Sequence, residues 1–302
     1  MNDVSVVIPS YNSALTIART LEGILAQKDV FAKEIIVVDS SDDGRTGEVL
    51  SVFEGRGVKV IRLGQKTMPA IGRNVGAKQA SGAILAFIDS DAYPAEDWVR
   101  RIGEAYAAGC RAGGGAILLP PEQRSRTIAL AQYFLQFNEF MDGSAPRVVP
   151  FTPSCNLFCE KRLFDEIGGF PEIRASEDVL FGRAVSLREK IHFNPDIRVY
   201  HVFRERTDSY FQNQKMLGRY ILIQRRDFMK EGWCQGWTPL FLAPAVVFVK
   251  FLRISARVLF SGGWSVFCRY LTALPLFLAG LGFWGKGFAA ACFEKSAKEG
   301  IA

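Results

Sequence analysis

Through the first hundred positions, short apolar blocks alternate with apolar residues at helical spacing. Residues 4–8, 34–38, 58–63 and 84–88 read as strands. Between the first two, Ile17, Leu21, Ile24 and Leu25 recur at helical spacing behind a turn at Pro9, Ser10, Tyr11 and Asn12, with Asn12 or Ser13 as the cap. A polar turn from Ser40 to Gly44 opens a second helix, and residues 68–80 form a third. This alternation predicts a parallel sheet with helices on both faces. Right-handed crossovers then bring the strand ends Pro9, Asp39 and Asp89 to one edge.

Past residue 110 the pattern loosens. Gly113-Gly114-Gly115 precedes a strand over 116–119, and a helix follows over 127–140. A strand over 156–159 leads to a helix over 161–167, stopped by Gly168-Gly169. Ser176-Glu177-Asp178 opens a helix to residue 187, and strands follow over 191–193 and 197–202. The tail is different. Residues 238–249 carry no charge but are too short to span a bilayer, and they contain Pro239 and Pro244. Next come Lys250, Arg253 and Arg257 on one helical face, with Phe251, Leu252, Ala256 and Leu259 on the others, an interfacial amphipathic pattern. Trp233 and Trp237 stand upstream as interface aromatics. A run over 270–285, extended past Lys286 to Phe293, suits either a thin-bilayer span or an interfacial helix. A buried helical hairpin is the alternative.

Charge sharpens this picture. The chain has 302 residues and a formal net charge of +6, yet residues 238–302 hold seven basic residues against two acidic ones. The excess thus belongs to the apolar tail. That argues against a nucleic-acid partner, which needs a basic patch on a soluble face, and for an anionic membrane surface. The six cysteines form no CxxC sets, and Cys155 and Cys159 lack histidines at zinc spacing, which suits a reducing compartment. The chain enters its first strand at once, so a cytoplasmic body without a signal peptide is expected.

The candidate chemistry starts at Asp89-Ser90-Asp91, directly after a buried-strand pattern. Residues i and i+2 of an extended segment face one way. Two adjacent carboxylates repel unless a cation or sugar hydroxyls lie between them. Helix capping is the plainer alternative.

Several further pieces occur in a specific order: Val6-Val7-Ile8-Pro9-Ser10-Tyr11-Asn12, Ile36-Val37-Val38-Asp39, Gly72-Arg73-Asn74-Val75-Gly76-Ala77, Ala80-Ser81-Gly82, the stretch 87–94, and Gly168-Gly169-Phe170 before Ser176-Glu177-Asp178. Together they resemble a family 2 glycosyltransferase with the GT-A fold, over roughly residues 4–205. The resemblance implies an α/β fold: a Rossmann-like, mostly parallel sheet with flanking helices, here with an apolar C-terminal helical tail. It implies a GT-A domain over 1–205, an acceptor-side connector over 206–237 and a membrane-associated region over 238–302.

The resemblance also implies roles. Pro9, Ser10 and Tyr11 line the nucleotide pocket, Asp39 accepts from the base, and Arg73 lies near the nucleotide, its guanidinium suited to a phosphate or carbonyl oxygen. Asp89 contacts ribose or metal, and Asp91 binds Mn²⁺ or Mg²⁺. Asp178 is the general base, beside Glu177, and His201 is an additional metal ligand. Asp42 and Asp43 read as turn chemistry. Processive relatives carry Gln-x-x-Arg-Trp, whereas here Gln212-Asn213-Gln214-Lys215-Met216 has Lys and Met, which argues for single additions, with Lys215 or Arg219 left as candidates for a phosphate.

The expected function is inverting, metal-dependent transfer of a sugar from a UDP- or GDP-sugar to a lipid-linked or membrane-proximal acceptor, at the cytoplasmic membrane face. The alternatives are a membrane-anchored nucleotide-sugar-binding protein without transfer and a nucleotidyltransferase. The latter is disfavoured because Pro9-Ser10-Tyr11-Asn12 is neither glycine-rich nor basic.

Overall fold

The computed structural model describes residues 3–294. Lys295, Lys298 and Glu299, which enter the charge count of the tail, lie outside them. The chain divides into two compact units. One unit runs through Leu118 and resumes over Ser144–Val202; the other comprises Leu119–Gly143 and the chain from Phe203 onward.

The first unit is built on a nine-stranded sheet of order β3-β2-β1-β4-β8-β6-β9-β5, with β7 paired to β9. The strands are β1 (Val4–Ser10), β2 (Glu34–Asp39), β3 (Val58–Arg62), β4 (Ile84–Phe87), β5 (Ala92–Pro94), β6 (Ala112–Leu118), β7 (Arg147–Val149), β8 (Leu157–Glu160) and β9 (Ile191–His201). The helices of this unit are α1 (Ile17–Leu25), α2 (Arg45–Glu54), α3 (Pro69–Gln79), α4 (Trp98–Ala107), α6 (Lys161–Ile167) and α7 (Glu177–Ser186); α5 (Thr127–Phe137) belongs to the second unit. Strands β3, β2, β1 and β4 are parallel, as the alternation predicts. Beyond β4 the sheet is mixed, because β8 lies antiparallel to both β4 and β6. Within that second half β6 and β9 again pair parallel.

Local details follow from sequence. Pro9 sits in β1, a central strand, at its carboxyl end. Val7 is the last β1 residue paired with β4, and its carbonyl accepts from Ile88 N. Pro9 points to the same side two residues on, where no strand needs its missing N–H. The Gly113-Gly114-Gly115 run lies inside β6 rather than ahead of it: a Cβ at any of the three would collide with backbone carbonyls of His192, Asn156 or Ile197. The two strands expected over 191–202 are one continuous β9.

Two glycines set the position of α3. A Cβ on Gly72 would stand 3.2 Å from Pro9 Cβ, and one on Gly76 would be driven into Val7 Cγ1. Both glycines let the helix press onto the sheet, and Pro69 starts it at a position that needs no N–H. The core beneath the sheet includes Val6, Ile8, Ile17, Leu21, Val37, Ala86, Trp98 and Val199, all fully buried.

The second unit contains α5, α8 (Thr207–Ile223), α9 (Thr238–Ser261) and α10 (Gly263–Ala290). A π-helical turn, Gln224–Phe228, ends α8. The stretch read as too short to span continues through Lys250 as one 24-residue helix with Pro244 inside. Thr238–Phe260 and Gly263–Phe293 are each, by length and composition, long and apolar enough to cross a membrane. Two members of the basic stripe are occupied within the unit. Arg257 donates to Asn138 Oδ1 (2.9 Å) and Glu139 Oε1 (2.6 Å), and Lys250 lies over the Trp284 ring. Arg219 is held by Glu294 at 2.7 Å.

Gly76→Ala should lower stability by about 1–3 kcal/mol, the cost of overpacking. Urea unfolding of the single variant and of Gly76→Ala with Val7→Ala checks this, because the second change vacates the space and should restore part of the loss.

Candidate active site

The polar groups gather at the carboxyl ends of β1, β2 and β4, where open α/β sheets bind ligands. At the ends of β1 and β2, Ser10 Oγ donates to Asp39 Oδ1 (2.9 Å), and Ser41 Oγ donates to the same oxygen (2.6 Å). Asp39 is buried. Tyr11 and Asn12 both reach Asp42, at 3.1 and 2.7 Å. The bonds from Asn12 and Tyr11 hold the Asp42 carboxyl below its usual range. Asn12 takes a positive φ of 49°, which asparagine tolerates. Asp43 is turn chemistry, as expected: it accepts from Thr46 N and Oγ1 at the start of α2. Lys66 lies over the Tyr11 ring at 4.2 Å.

A second group centres on Arg73. Its guanidinium is 2% exposed and donates to Asp89 Oδ1 at 2.6 Å and Glu177 Oε1 at 2.7 Å. Burial works against its charge, but Asp89, Glu177 and Asp178 more than offset that, and it stays charged. Its Nε is buried without a partner. The neighbouring Asn74 clamps the chain ahead of α7: its Nδ2 donates to Phe170 O and its Oδ1 accepts from Phe170 N, both at 2.8 Å. Gly169 must lack a side chain here, since a Cβ would lie 2.6 Å from Asn74 Oδ1 at a φ of 81°. Ser176, in the left-handed region at φ 69°, turns the chain into α7. Asp178 follows in its first turn and accepts from Val179 N at 2.8 Å. Burial, then the charge of Glu177, raises the Asp178 pKa to about 7, against the pull of Val179 N–H and Arg73.

The third group joins β4 to β9. Pairing of Ala92 in β5 with His201 in β9 brings the imidazole to the carboxylates, and His201 Nε2 lies 3.6 Å from Asp91 Oδ1. His201 Nδ1 is 3.1 Å from Val202 O. A carbonyl only accepts, so Nδ1 is the donor in this contact, and Nε2 is the ring nitrogen that faces Asp91. Asp89, Cys155 and His201 each place a ligand atom within 4.8 Å of the others. Two carboxylates and a pre-set imidazole fit a divalent cation such as Mn²⁺. Burial, then Asp89, Asp91 and Asp178, holds the Cys155 thiol well above its usual pKa.

Arg73, Asp89, Asp91, Glu177, Asp178 and His201 thus lie around one centre, with Pro9, Ser10, Tyr11 and Asp39 along the same sheet edge. The sequence reading missed Cys155, which only the antiparallel placement of β8 delivers. It also missed Asn156, which accepts from Trp98 Nε1 and donates to Ala116 O and Ile197 O.

The glycosyl transferase family 2 profile matches residues 5–168, more than half of the chain. The chain belongs to this family. It is similar to the glycosyltransferase AglE of Haloferax volcanii, 28% identical over 172 residues, 56% of each chain. It is also similar to UDP-Glc:alpha-D-GlcNAc-diphosphoundecaprenol beta-1,3-glucosyltransferase WfgD of Escherichia coli, 33% identical over 88 residues, 29% of this chain and 34% of WfgD. The chain therefore matches about half of the first relative's length and a third of the second's. The solved mannosyltransferase PcManGT of Pyrobaculum calidifontis, in complex with GDP-Man and Mn²⁺, superposes with a TM-score of 0.62, covering 97% of this chain and 88% of that one at 17% identity. That likeness shows the GT-A fold.

Two stability outcomes follow. Arg73→Met leaves Asp89 and Glu177 uncompensated and should cost about 3–5 kcal/mol in urea unfolding. Asp178 has a raised pKa in the folded state, so folding is favoured while it stays protonated, and that advantage fades as pH climbs from about 4 through 7. Asp178→Asn should therefore raise the thermal midpoint at pH 8 and leave it nearly unchanged at pH 4.

Proposed function

We propose that the chain transfers a sugar, with inversion, from a nucleotide-sugar donor to a hydroxyl of a lipid-linked or membrane-proximal acceptor, using a divalent cation. One observation carries this reading: Arg73 ties Asp89 at the end of β4 to Glu177 at the start of α7, beside Asp178. The leaving-group carboxylates and a candidate base are thereby one charged assembly. The family match supports it, as does the likeness to PcManGT, whose structure holds GDP-Man and Mn²⁺. WfgD, by its name, acts on a diphosphoundecaprenol-linked sugar, which supports a lipid-linked acceptor.

In this reading Pro9, Ser10 and Tyr11 hold the nucleotide. Ser10 and Ser41 both occupy Oδ1 of Asp39, so Oδ2 is the oxygen offered to a base N–H. Asp91, Asp89 and His201 hold Mn²⁺ or Mg²⁺. When bound, the ion neutralises charge on the departing nucleoside diphosphate. Arg73 is a positioning residue: both its terminal nitrogens are spent on carboxylates rather than on a phosphate. Asp178 takes the acceptor hydroxyl proton as the new glycosidic bond forms and the bond to the nucleoside diphosphate breaks on the opposite face. A base with a pKa near 7 is matched to that task.

The domain reading is also a proposal: catalysis in 1–205, acceptor contacts in 206–237, and membrane attachment at the cytoplasmic face through 238–302. Its support is the exposed apolar surface of α9 and α10, including Phe241, Phe248, Leu252, Leu259 and Trp264.

Incubation of the chain with UDP- and GDP-sugars, Mn²⁺ and an undecaprenyl-diphosphate-linked sugar should release nucleoside diphosphate and lengthen the acceptor. The rate should rise with pH through about 7, because the deprotonated Asp178 is the active form. Asp178→Asn should lose transfer by roughly a thousandfold or more and still bind the nucleoside diphosphate. Nucleotide binding without transfer in the native chain would sink the enzyme reading and leave a binding protein. For the membrane, the native chain should float with anionic vesicles. Phe248→Glu with Leu252→Glu, both at exposed positions, should stay at the bottom of the gradient.

A further inference from the structure

Cys155 has no part in the reading above, yet it stands among the same groups. It lies in the turn Ser154–Asn156 that leads into β8, and it is 2% exposed. Its sulfur lies within 4.8 Å of ligand atoms of Asp89 and His201. Three donors on one ion, at bond lengths of about 2.0–2.3 Å, stand roughly 3.3–4.0 Å apart, so side-chain movement of about 1 Å closes the set. The backbone that carries the sulfur is firmly held. Asn156, the next residue, accepts from Trp98 Nε1 at 2.9 Å and donates to Ala116 O at 3.0 Å and Ile197 O at 2.8 Å. The donors come from three separate elements: the end of β4, the approach to β8 and the end of β9. His201 already directs Nε2 toward Asp91, at 3.6 Å from its Oδ1.

We infer that Cys155 is a further donor of this metal site, joining Asp89, Asp91 and His201, and that it gives the site a preference for thiophilic divalent ions over Mg²⁺. The inference rests on the metal reading proposed above and deepens it. Carboxylate oxygens suit Mg²⁺ and Mn²⁺, whereas a sulfur donor favours Zn²⁺, Cd²⁺ and Co²⁺. On binding, a sulfur–metal bond forms and the thiol proton passes to solvent, with no change of oxidation state.

The test titrates Co²⁺ into the full-length protein with UDP and GDP both present. The native chain should develop a near-ultraviolet thiolate-to-cobalt charge-transfer band. Cys155→Ala should lose the band while Co²⁺ still raises its thermal midpoint. The preference for Zn²⁺ over Mg²⁺ in competition should fall roughly tenfold or more in that variant. A second measurement needs no variant: cadmium NMR of the native protein should give a resonance in the range of sulfur coordination. Co²⁺ binding without the band, a band that persists in Cys155→Ala, or a cadmium resonance typical of oxygen and nitrogen donors alone would each overturn the role of Cys155 and leave the Asp89–Asp91–His201 site standing. Absence of a thermal shift with Co²⁺, Mn²⁺ and Mg²⁺ alike would overturn both.

Discussion

Arg73 carries a full positive charge at a position almost closed to water, and the site is organised around that fact. A buried guanidinium persists only with opposite charges in contact, and Asp89 and Glu177 supply them. The pairing also fixes geometry, because a planar fork reaching two carboxylates sets the distance between the end of β4 and the start of α7. Three consecutive residues of α3 cooperate in this. Gly72 lets the helix press against Pro9, Arg73 spans the two carboxylates, and Asn74 binds the backbone of Phe170 on both edges. The aromatic rings of Phe87, Phe164, Phe170 and Phe181 pack behind it and keep α7 from drifting.

The charge balance around Arg73 gives the site its chemistry. Three carboxylates, Asp89, Glu177 and Asp178, act on one guanidinium, and Asp91 follows two residues after Asp89. The surplus is negative. One group, Asp178, holds a proton more tightly than a carboxyl in water would. The rest would suit a cation on the open side, where the half-buried Asp91 lies 3.6 Å from His201 Nε2. The same crowding that raises the Asp178 pKa toward neutral would thus favour a cation at the proposed metal position. In the proposed reading a nucleoside diphosphate alone would add negative charge to this cluster, and a divalent ion beside it would offset that charge.

What could be read from the chain follows the range of the interactions. The four parallel strands and their helices are visible because each depends on its own apolar spacing. The end of β1, Asp39, Asp89 and the Gly168–Asp178 segment are visible as motifs because local turn and backbone demands fix their residue types. The glycine run at 113–115 misleads because glycine marks turns and close backbone approach alike, and only the neighbouring carbonyls decide between them. Cys155 was invisible because its place beside Asp89 depends on strand β8 running antiparallel, a pairing with no local signature. The burial of Arg73 was equally hidden: its partners lie 16 and 104 residues away in sequence.

The C-terminal helices invert the amphipathic pattern seen in the sequence. Lys250, Arg253 and Arg257 share a face, and the simple reading turns that face to lipid headgroups. Yet Arg257 is satisfied by Asn138 and Glu139, and Lys250 by the ring of Trp284. Two of the three charges are therefore spent on the protein. The surface left outward, with Phe241, Phe248, Leu252 and Leu259, is mainly hydrocarbon. A contiguous apolar face of this kind is costly in water and favourable in lipid. Attachment would then depend on apolar burial more than on attraction to anionic headgroups, and should weaken only modestly as salt is raised.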